Sequence, residues 1–323
     1  MIANSGEYRK KNGQRGCVMT NNFIFENKAK VYFGKGGVKE YLGGLLANFG
    51  ETVMLAYGGG SIKCNGVYDE IMGILNAQGK CVVEFSGIMS NPTYAKVQEG
   101  AKLAHENHVD LILAVGGGSV SDCCKVISGA FDTLSHAMET YFGKPDENNL
   151  SDDINEAVMR SVIRNIRILL TDPENYDARS ELAQASAMAE NGVLKIGKVT
   201  DFQAHQIQHQ LGAYTDCNHG AGLAVIHPVL YRHIYKSGTA RFTRWAQNVW
   251  GIAPKGSDEE TAAAGIDVLA AFIKEIGLPT SFAELGIPAD TDFRAVADST
   301  NTTAGCCKKL THDEIYEILQ ECL

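Results

Sequence analysis

The chain has 323 residues, of which 45% are hydrophobic and 21% are charged, and it carries a formal net charge of −9. This length is sufficient for one large hydrophobic core or two smaller domains, and we expect two. The acidic charge excludes a role in nucleic-acid binding, because the only basic run is RKKNGQR near the start and a phosphate backbone attracts positive surfaces.

Two features predict a cytoplasmic protein. No segment is apolar and long enough to act as a signal peptide or to cross a bilayer, so we expect no membrane association. The nine cysteines are scattered along the chain without the spacing of a metal finger, which is typical of reduced intracellular thiols.

The first half of the chain predicts an α/β domain over residues 19–128. Residues 1–18 are polar and patternless, which predicts a disordered extension with Met19 as the natural start. MTNNFIFENKAKVYFG, from Met19, predicts two short strands. Helical patterns then alternate with apolar strand patterns, a feature of βαβ units and a parallel, Rossmann-like sheet. The predicted helices cover 37–49, 66–78 and 94–107, and the predicted strands cover 52–57, 81–85 and 111–115.

The second half predicts an all-helical domain over residues 129–323. DDINEAVMRSVIRNIRILL places apolar residues at helical spacing, and ETAAAGIDVLAAFIKEI and THDEIYEILQECL do the same. From about Ser121 onward almost no strand pattern occurs. The predicted fold is therefore an α/β domain followed by an all-α domain.

Two glycine clusters each follow a predicted strand and precede a helix. At the carboxyl ends of parallel strands they predict a phosphate or nucleotide site, although each cluster alone is equally consistent with a tight turn. Neither matches the dinucleotide fingerprint or the P-loop. The candidate cofactor-binding residues are Gly58, Gly59, Gly60, Ser61, Gly116, Gly117, Gly118 and Ser119.

The first cluster also indicates which dinucleotide binds. An NAD site normally has an acidic residue for the ribose 2′-hydroxyl, whereas here Ser61 and Lys63 follow the glycines. A small donor and a cation suit a 2′-phosphate, which favours NADP(H) over NAD(H).

A second group of residues predicts a metal site. Asp132 and His136 are four residues apart, as are His205 and His209, so each pair lies on one face of a helix, and His219 follows a turn-like run. One carboxylate with several imidazoles suits a divalent transition metal with an open position. The alternative, that these histidines are structural, remains open because spacing alone does not show that the helices converge.

Four motifs occur along the chain in this order: AYGGGS, AVGGGSVSD, GAFDTLSHAMETYFGKP and VLKIGKVTDFQAHQIQHQLGAYTDCNHGAGLAVIHP. In these motifs and in their order the chain resembles the iron-dependent (group III) alcohol dehydrogenase family. The similarity is greatest to its NADPH-dependent butanol dehydrogenase and aldehyde reductase branch. The resemblance implies a dehydroquinate synthase-like fold with a truncated nucleotide-binding domain. It also implies hydride transfer between NADP(H) and a small primary alcohol or aldehyde, and a homodimer.

The resemblance assigns roles to individual residues. The implied metal ligands are Asp132, His136, His205 and His219. The resemblance to the family implies that they hold Fe²⁺, and their ligand types also suit Zn²⁺. His209 resembles a residue of the family that lies beside the substrate and relays a proton. The second glycine cluster, with Asp122 at the start of the following helix, resembles the pyrophosphate site, and the first resembles the 2′-phosphate site.

The chain departs from the family between AVGGGSVSDCCKVIS and GAFDTLSHAMET. Members of the family carry a substantial further segment there, so we expect an internal gap near Ser128 and Gly129 that leaves the sheet thin and its edge exposed. Two alternatives to the dehydrogenase follow: a noncatalytic metal-binding remnant, and a glycerol dehydrogenase-like or dehydroquinate synthase-like reaction on the same scaffold. The alcohol dehydrogenase motifs count against the latter.

Overall fold

The computed structural model describes residues 24–26, 30–88, 93–116, 123–303 and 307–323. These divide into two compact units, the sheet unit Lys28–Val126 and the helical unit Ile127–Leu323, to which residues 24–26 also belong. The predicted disorder of residues 1–18 and the predicted start at Met19 fall outside the described ranges, and the predicted domain limits stay predictions. Among the described helices, none has both the length and the hydropathy needed to span a membrane.

The sheet unit contains a parallel sheet of strand order β2-β1-β3. All three strands were predicted with the limits observed. The strands are β1 (Thr52–Tyr57), β2 (Cys81–Phe85) and β3 (Leu111–Val115), and the helices are α1 (Gly37–Leu46), α2 (Ser61–Cys64), α3 (Val67–Ala77) and α4 (Tyr94–Glu106).

The two strands predicted from Met19 were wrong, and helix α1 was predicted with too late an end. Residues 24–26 and 30–34 form no strand, and Ile24 is 100% exposed and Val31 72% exposed, because an apolar pattern folds into a strand only with a partner and a buried face. Helix α1 ends at Leu46, three residues before its predicted end. There the side-chain amide of Asn48 donates to the carbonyl oxygens of Gly44 and Leu45, which ends the helix.

Strand β1 is the centre of the sheet unit because both of its faces are buried. Val53 and Leu55 pack with Leu75 of α3, whereas Met54 packs with Phe85 on the other face. This explains the continuous apolar run of β1, which is typical of parallel strands covered on both sides. The neighbouring strand β3 is less protected, and its Ile112 is 60% exposed, as expected for a thin sheet.

In the helical unit, every segment that the apolar spacing predicts as a helix is a helix, with limits shifted by one or two residues. Helices α6, α11 and α13 each begin with a capping box, whose N-cap residues are Asn149, Ser257 and Thr311 respectively. The helices are α5 (Cys123–Tyr141), α6 (Leu150–Thr171), α7 (Tyr176–Glu190), α8 (Gln203–Thr215), α9 (His219–Ile234), α10 (Thr239–Asn248), α11 (Asp258–Glu275), α12 (Phe293–Ser299) and α13 (His312–Glu321).

An aromatic cluster forms the core of this unit. Phe142, directly after α5, stacks on Phe242 of α10 with ring centroids 4.0 Å apart, and it meets Tyr231 of α9 at 5.0 Å and Trp245 at 5.5 Å. All four side chains are almost completely buried. Because large rings contribute much buried area and prefer defined geometries, the cluster fixes the end of α5 against α9 and α10.

A buried group of charges fixes the segment that leads into α8. The carboxylate of Asp152 on α6 pairs with the ammonium of Lys198, and its Oδ1 lies 2.9 Å from Nη1 of Arg241 on α10. Arg241 also donates to the carbonyl oxygens of Tyr141 and Pro145. Removing one partner of such a group typically costs about 3–5 kcal/mol, because the other charge is left buried.

A buried Ser–His pair between α5 and α9 generates a pH prediction. Ser135 Oγ lies 2.6 Å from His227 Nε2, and burial lowers the pKa of His227 to about 4. The unfolded chain takes up a proton on this imidazole below about pH 6.5. The stability contributed by the neutral ring is therefore complete above pH 6.5 and is lost as the pH falls through 4.

We expect the free energy of unfolding to fall by about 2 kcal/mol between pH 7.5 and pH 5 through His227 alone. Urea unfolding followed by the fluorescence of Trp245 and Trp250, both in the helical unit, measures this change. His227→Gln should lack this share of the pH dependence, and His105→Gln, at an exposed position on α4, should retain it. Equal pH slopes for wild type and His227→Gln would contradict the assignment.

Candidate metal centre

Three helices bring one carboxylate and two imidazoles together. Asp132 lies on α5, His205 on α8, and His219 is the first residue of α9. Nε2 of His205 is 3.3 Å from Oδ1 of Asp132, and Nε2 of His219 is 3.4 Å from the same oxygen. The three candidate ligand atoms all lie within 4.8 Å of one another.

Local sequence explains how each side chain reaches this point. Asp132 and His136 share one face of α5, and the side chain of Asn218 caps α9 by accepting from the backbone N–H of Ala221 at 3.0 Å. Gly220 lets α9 approach α5 closely, since a Cβ there would lie 2.1 Å from the carbonyl oxygen of Ser128. The position of His219 therefore depends on this glycine.

The second ring nitrogen of each of these two histidines has an acceptor. His205 Nδ1 bonds to Oε2 of Glu139, and His219 Nδ1 bonds to Oε1 of Gln208. Glu139 is itself buried on α5 and accepts from the backbone N–H of Ala204 at 2.6 Å. An acceptor at Nδ1 holds the ring proton there, which leaves the Nε2 lone pairs facing Asp132.

The charges of the cluster are strongly coupled. Burial opposes ionisation of Asp132, but the close imidazoles of His205 and His219 outweigh it and hold the pKa of the carboxyl below its usual range. Burial likewise acts to lower the pKa of His205, whereas Glu139 and Asp132 raise it to about 9. Burial and the charge of His205 lower the pKa of His136 to about 4. A carboxylate thus stays anionic among closely spaced imidazoles.

These residues fit a divalent cation. Asp132 Oδ1 and His205 Nε2 are buried, face each other, and make no hydrogen bond within the described part of the chain. A cation between them would satisfy both atoms, and binding would displace the proton from His205. A donor set of carboxylate oxygen and imidazole nitrogen suits Fe²⁺ or Zn²⁺.

The other two predicted site histidines lie at the edge of the cluster. His136 Nε2 is 3.7 Å from Asp132 Oδ1 and 2.9 Å from Oε1 of Glu190, and His136 is not part of the group that meets within 4.8 Å. His209 is exposed, and its ring stacks on His219 with centroids 5.3 Å apart. The roles of His136 as ligand and His209 as relay stay predictions.

The glycine clusters belong to the sheet unit. Tyr57 and Val115 are register partners on neighbouring parallel strands, so Gly58 and Gly116 follow at the same edge of the sheet. A side chain added at Gly59, Gly60 or Gly116 would meet no atom of the described residues within 4 Å. Gly117, Gly118, Ser119 and Asp122 lie outside the described residues.

The ammonium of Lys63, which was predicted to favour a 2′-phosphate, already has a partner. Lys63 Nζ lies 3.3 Å from Oε2 of Glu84, near the end of β2, and Tyr57 and Tyr68 also donate to this carboxylate. The hydrogen bonds from Tyr57 and Tyr68 and the charge of Lys63 lower the pKa of Glu84. No pattern in the sequence indicated this carboxylate beside Lys63, because Glu84 comes from a different strand.

Three residues of the metal centre were also missed. Glu139 follows His136 by three residues and Gln208 follows His205 by three, so helical spacing could have placed both on the ligand faces. Glu190 had no such signal, because it comes from a different helix and reaches the site only through tertiary packing.

Comparisons with known proteins identify the family to which the chain is similar. A family model described as "Fe-containing alcohol dehydrogenase family, C-terminal" matches residues 126–323, and one described as "Iron-containing alcohol dehydrogenase" matches residues 28–157. NADH-dependent butanol dehydrogenase A of Clostridium acetobutylicum is 27% identical, over 93% of this chain and 99% of that protein. NADPH-dependent aldehyde reductase YqhD of Escherichia coli is 26% identical, over 83% and 90% respectively.

Solved structures give the same result. The crystal structure of NADH-dependent butanol dehydrogenase A from Thermotoga maritima has a TM-score of 0.87 and 26% sequence identity to this chain. The match covers 94% of this chain and 99% of that one.

The alignments also show an internal difference in length. The Clostridium alignment spans 386 positions, but 93% of this 323-residue chain is about 300 residues, so about 86 positions have no residue of this chain. The Escherichia alignment spans 355 positions, of which this chain fills about 268, or 83% of its length. About 87 positions of that alignment therefore also have no residue of this chain. The relatives therefore contain internal residues that this chain lacks, and the place of the gap near Ser128 stays a prediction.

The ligand set predicts a specific loss of metal. His205→Ala removes the most deeply buried imidazole of the cluster, so we expect the affinity for Fe²⁺ or Co²⁺ to fall at least about 100-fold. Metal analysis after dialysis against a weak chelator measures this loss. His233→Ala, at a histidine paired with Glu321 outside the cluster, should keep the metal content of the wild type. Unchanged metal in His205→Ala would show that the cation binds elsewhere.

Proposed function

Since the chain belongs to the iron-containing alcohol dehydrogenase family, we propose that it transfers hydride between NADP(H) and small primary alcohols or aldehydes. The observation that carries the proposal is the meeting of Asp132, His205 and His219, with two imidazole nitrogens 3.3 and 3.4 Å from one carboxylate oxygen. The named activities of the Clostridium, Escherichia and Thermotoga proteins, butanol dehydrogenase and aldehyde reductase, support the substrate class.

In this proposal the residues of the helical unit have separate tasks. Asp132, His205 and His219, with His136, hold the cation, while Glu139 and Gln208 orient the two imidazoles. When bound, a divalent cation supplies a Lewis acid that stabilises negative charge on the oxygen of the alcohol or aldehyde. His209 is exposed beside His219 and is placed to exchange a proton with solvent.

NADP(H) is the proposed cofactor, bound by the sheet unit. Ser61 and Lys63 at the first glycine cluster and the NADPH dependence of the Escherichia relative support it. The NADH dependence of the Clostridium relative and the carboxylate of Glu84 beside Lys63 favour NAD(H) instead. The cofactor preference therefore depends on whether a 2′-phosphate can compete with Glu84 for Lys63.

A second candidate function is a metal-binding protein without dehydrogenase activity. The observation that favours it is the internal difference of about 86 positions from the relatives, together with the exposed Ile112 on β3. Loss of groups that position a nicotinamide is costly, because a misplacement of about 1 Å can reduce the rate on the order of 100-fold.

We further propose a cytoplasmic homodimer. The cysteines that the structure describes as free support a reducing compartment, and family resemblance supports the dimer. Sedimentation of the purified protein measures the oligomeric state.

The oxidation of NADPH by butyraldehyde distinguishes the two candidate functions. We expect anaerobically purified, Fe²⁺-loaded protein to turn over, and removal of the metal by a chelator to reduce the rate at least about 100-fold. The same sample without chelator and a sample reloaded with Fe²⁺ are the controls. A folded protein that holds one metal per chain and shows no turnover would establish the second candidate instead.

Substitutions in the sheet unit test the cofactor. Ser61→Asp places a carboxylate beside the proposed 2′-phosphate and should weaken NADPH binding at least about tenfold while NADH changes less. Glu84→Gln should release Lys63 and strengthen NADPH relative to NADH. Fluorescence titration with both nucleotides measures the two affinities, and equal effects on NADPH and NADH would contradict the preference for NADP(H).

A further inference from the structure

Glu190 brings a carboxylate from a fourth helix to the metal centre. It is the last residue of α7, and its Oε1 lies 2.9 Å from Nε2 of His136. Its side chain is 53% exposed, whereas that of His205 is 3% exposed. Glu190 therefore stands on the solvent side of the cluster, next to the predicted ligand that lies farthest from Asp132.

His136 differs from the two better-placed imidazoles in its hydrogen bonds. His205 and His219 each have an acceptor at Nδ1, which directs Nε2 toward the cation site. His136 Nδ1 is buried and has no hydrogen-bond partner among the residues that the structure describes. Within the described part of the chain, His136 Nε2 thus lies near two carboxylates, Asp132 and Glu190, and its Nδ1 has no partner.

Three of the separations match those of donors on one cation, while His136 and Glu190 lie outside the group that meets within 4.8 Å and would have to move toward the cation on binding. With metal–ligand bonds of about 2.1 Å, two donors are about 3.4 Å apart at a tetrahedral angle and about 3.0 Å apart at a right angle. Asp132 lies 3.3 and 3.4 Å from the two imidazole nitrogens, and Glu190 lies 2.9 Å from the third. Right angles between donors occur when a cation has more than four ligands.

The position is electrostatically costly for a carboxylate on its own. Glu190 lies at the C-terminal end of α7, where the helix dipole is negative, and the charge of Asp132 is close by. Lys195, His205 and His219 offset part of this repulsion. A divalent cation next to Glu190 and Asp132 would add two further positive charges to this balance.

We infer that Glu190 is a further ligand of the metal, on the side of His136. The inference rests on the proposed metal centre and adds a second carboxylate to it. With Asp132, His136, His205 and His219, the cation has five protein donors. Five donors suit Fe²⁺ or Co²⁺ better than Zn²⁺, which prefers four ligands in structural sites.

Co²⁺ is a suitable probe because its visible absorption is weak when it has five or six ligands and strong when it has four. We expect Glu190→Gln to lower the Co²⁺ affinity at least about tenfold in competition with a chelator, and to intensify the visible bands. Glu190→Ala, which removes the donor oxygen altogether, should lose at least as much affinity. The matched control is Glu181→Gln, on the same helix and with the same side-chain exposure of 53%.

Affinity and spectrum of Glu190→Gln equal to those of Glu181→Gln would overturn the inference. Tighter Co²⁺ binding by Glu190→Gln would also overturn it, because Glu190 would then compete with the metal for His136. These readouts do not depend on turnover. Wild-type protein that binds Co²⁺ and fails to oxidise NADPH would remove the proposed dehydrogenase activity and leave the role of Glu190 standing.

Discussion

The helical unit is organised around one buried electrostatic constraint. The Asp132 carboxylate is held in its anionic form beside the Nε2 atoms of His205 and His219, with its Oδ1 making no hydrogen bond within the described residues. Glu139 and Gln208 occupy the opposite nitrogens of the two rings, so the rings cannot turn away without breaking buried hydrogen bonds. A bound cation would satisfy the carboxylate oxygen and the two Nε2 atoms at once.

The rest of the unit positions α5, α8 and α9 for this purpose. The stack of Phe142 on Phe242 fixes the end of α5, and the charges around Asp152 fix the segment before α8. Gly220 allows α9 to start against the backbone of α5. Stability and site geometry therefore depend on the same packing, and changes in the aromatic core should disturb metal binding as well as folding.

Sequence reasoning predicted those features that local patterns determine. The three strands, the helical half and the pairs Asp132 with His136 and His205 with His209 follow from apolar and ligand spacing along single elements. It failed where tertiary contacts decide. The apolar residues between Ile24 and Phe33 form no strand in the described ranges, Glu190 comes from a separate helix, and Lys63 of α2 pairs with Glu84 of β2. Such contacts join residues far apart in the chain and have no local pattern.

The proposed function requires that this chain binds a metal at the imidazole-rich cluster of Asp132, His205 and His219. X-ray absorption of the Fe²⁺-loaded protein tests it most directly, because imidazole rings give a characteristic outer-shell scattering that carboxylates and thiolates lack. We expect nitrogen and oxygen atoms as the nearest neighbours of the iron, together with the outer-shell signal of two or more histidines. A first shell with sulfur, from the chain's nine cysteines, or a shell without imidazole scattering would contradict it.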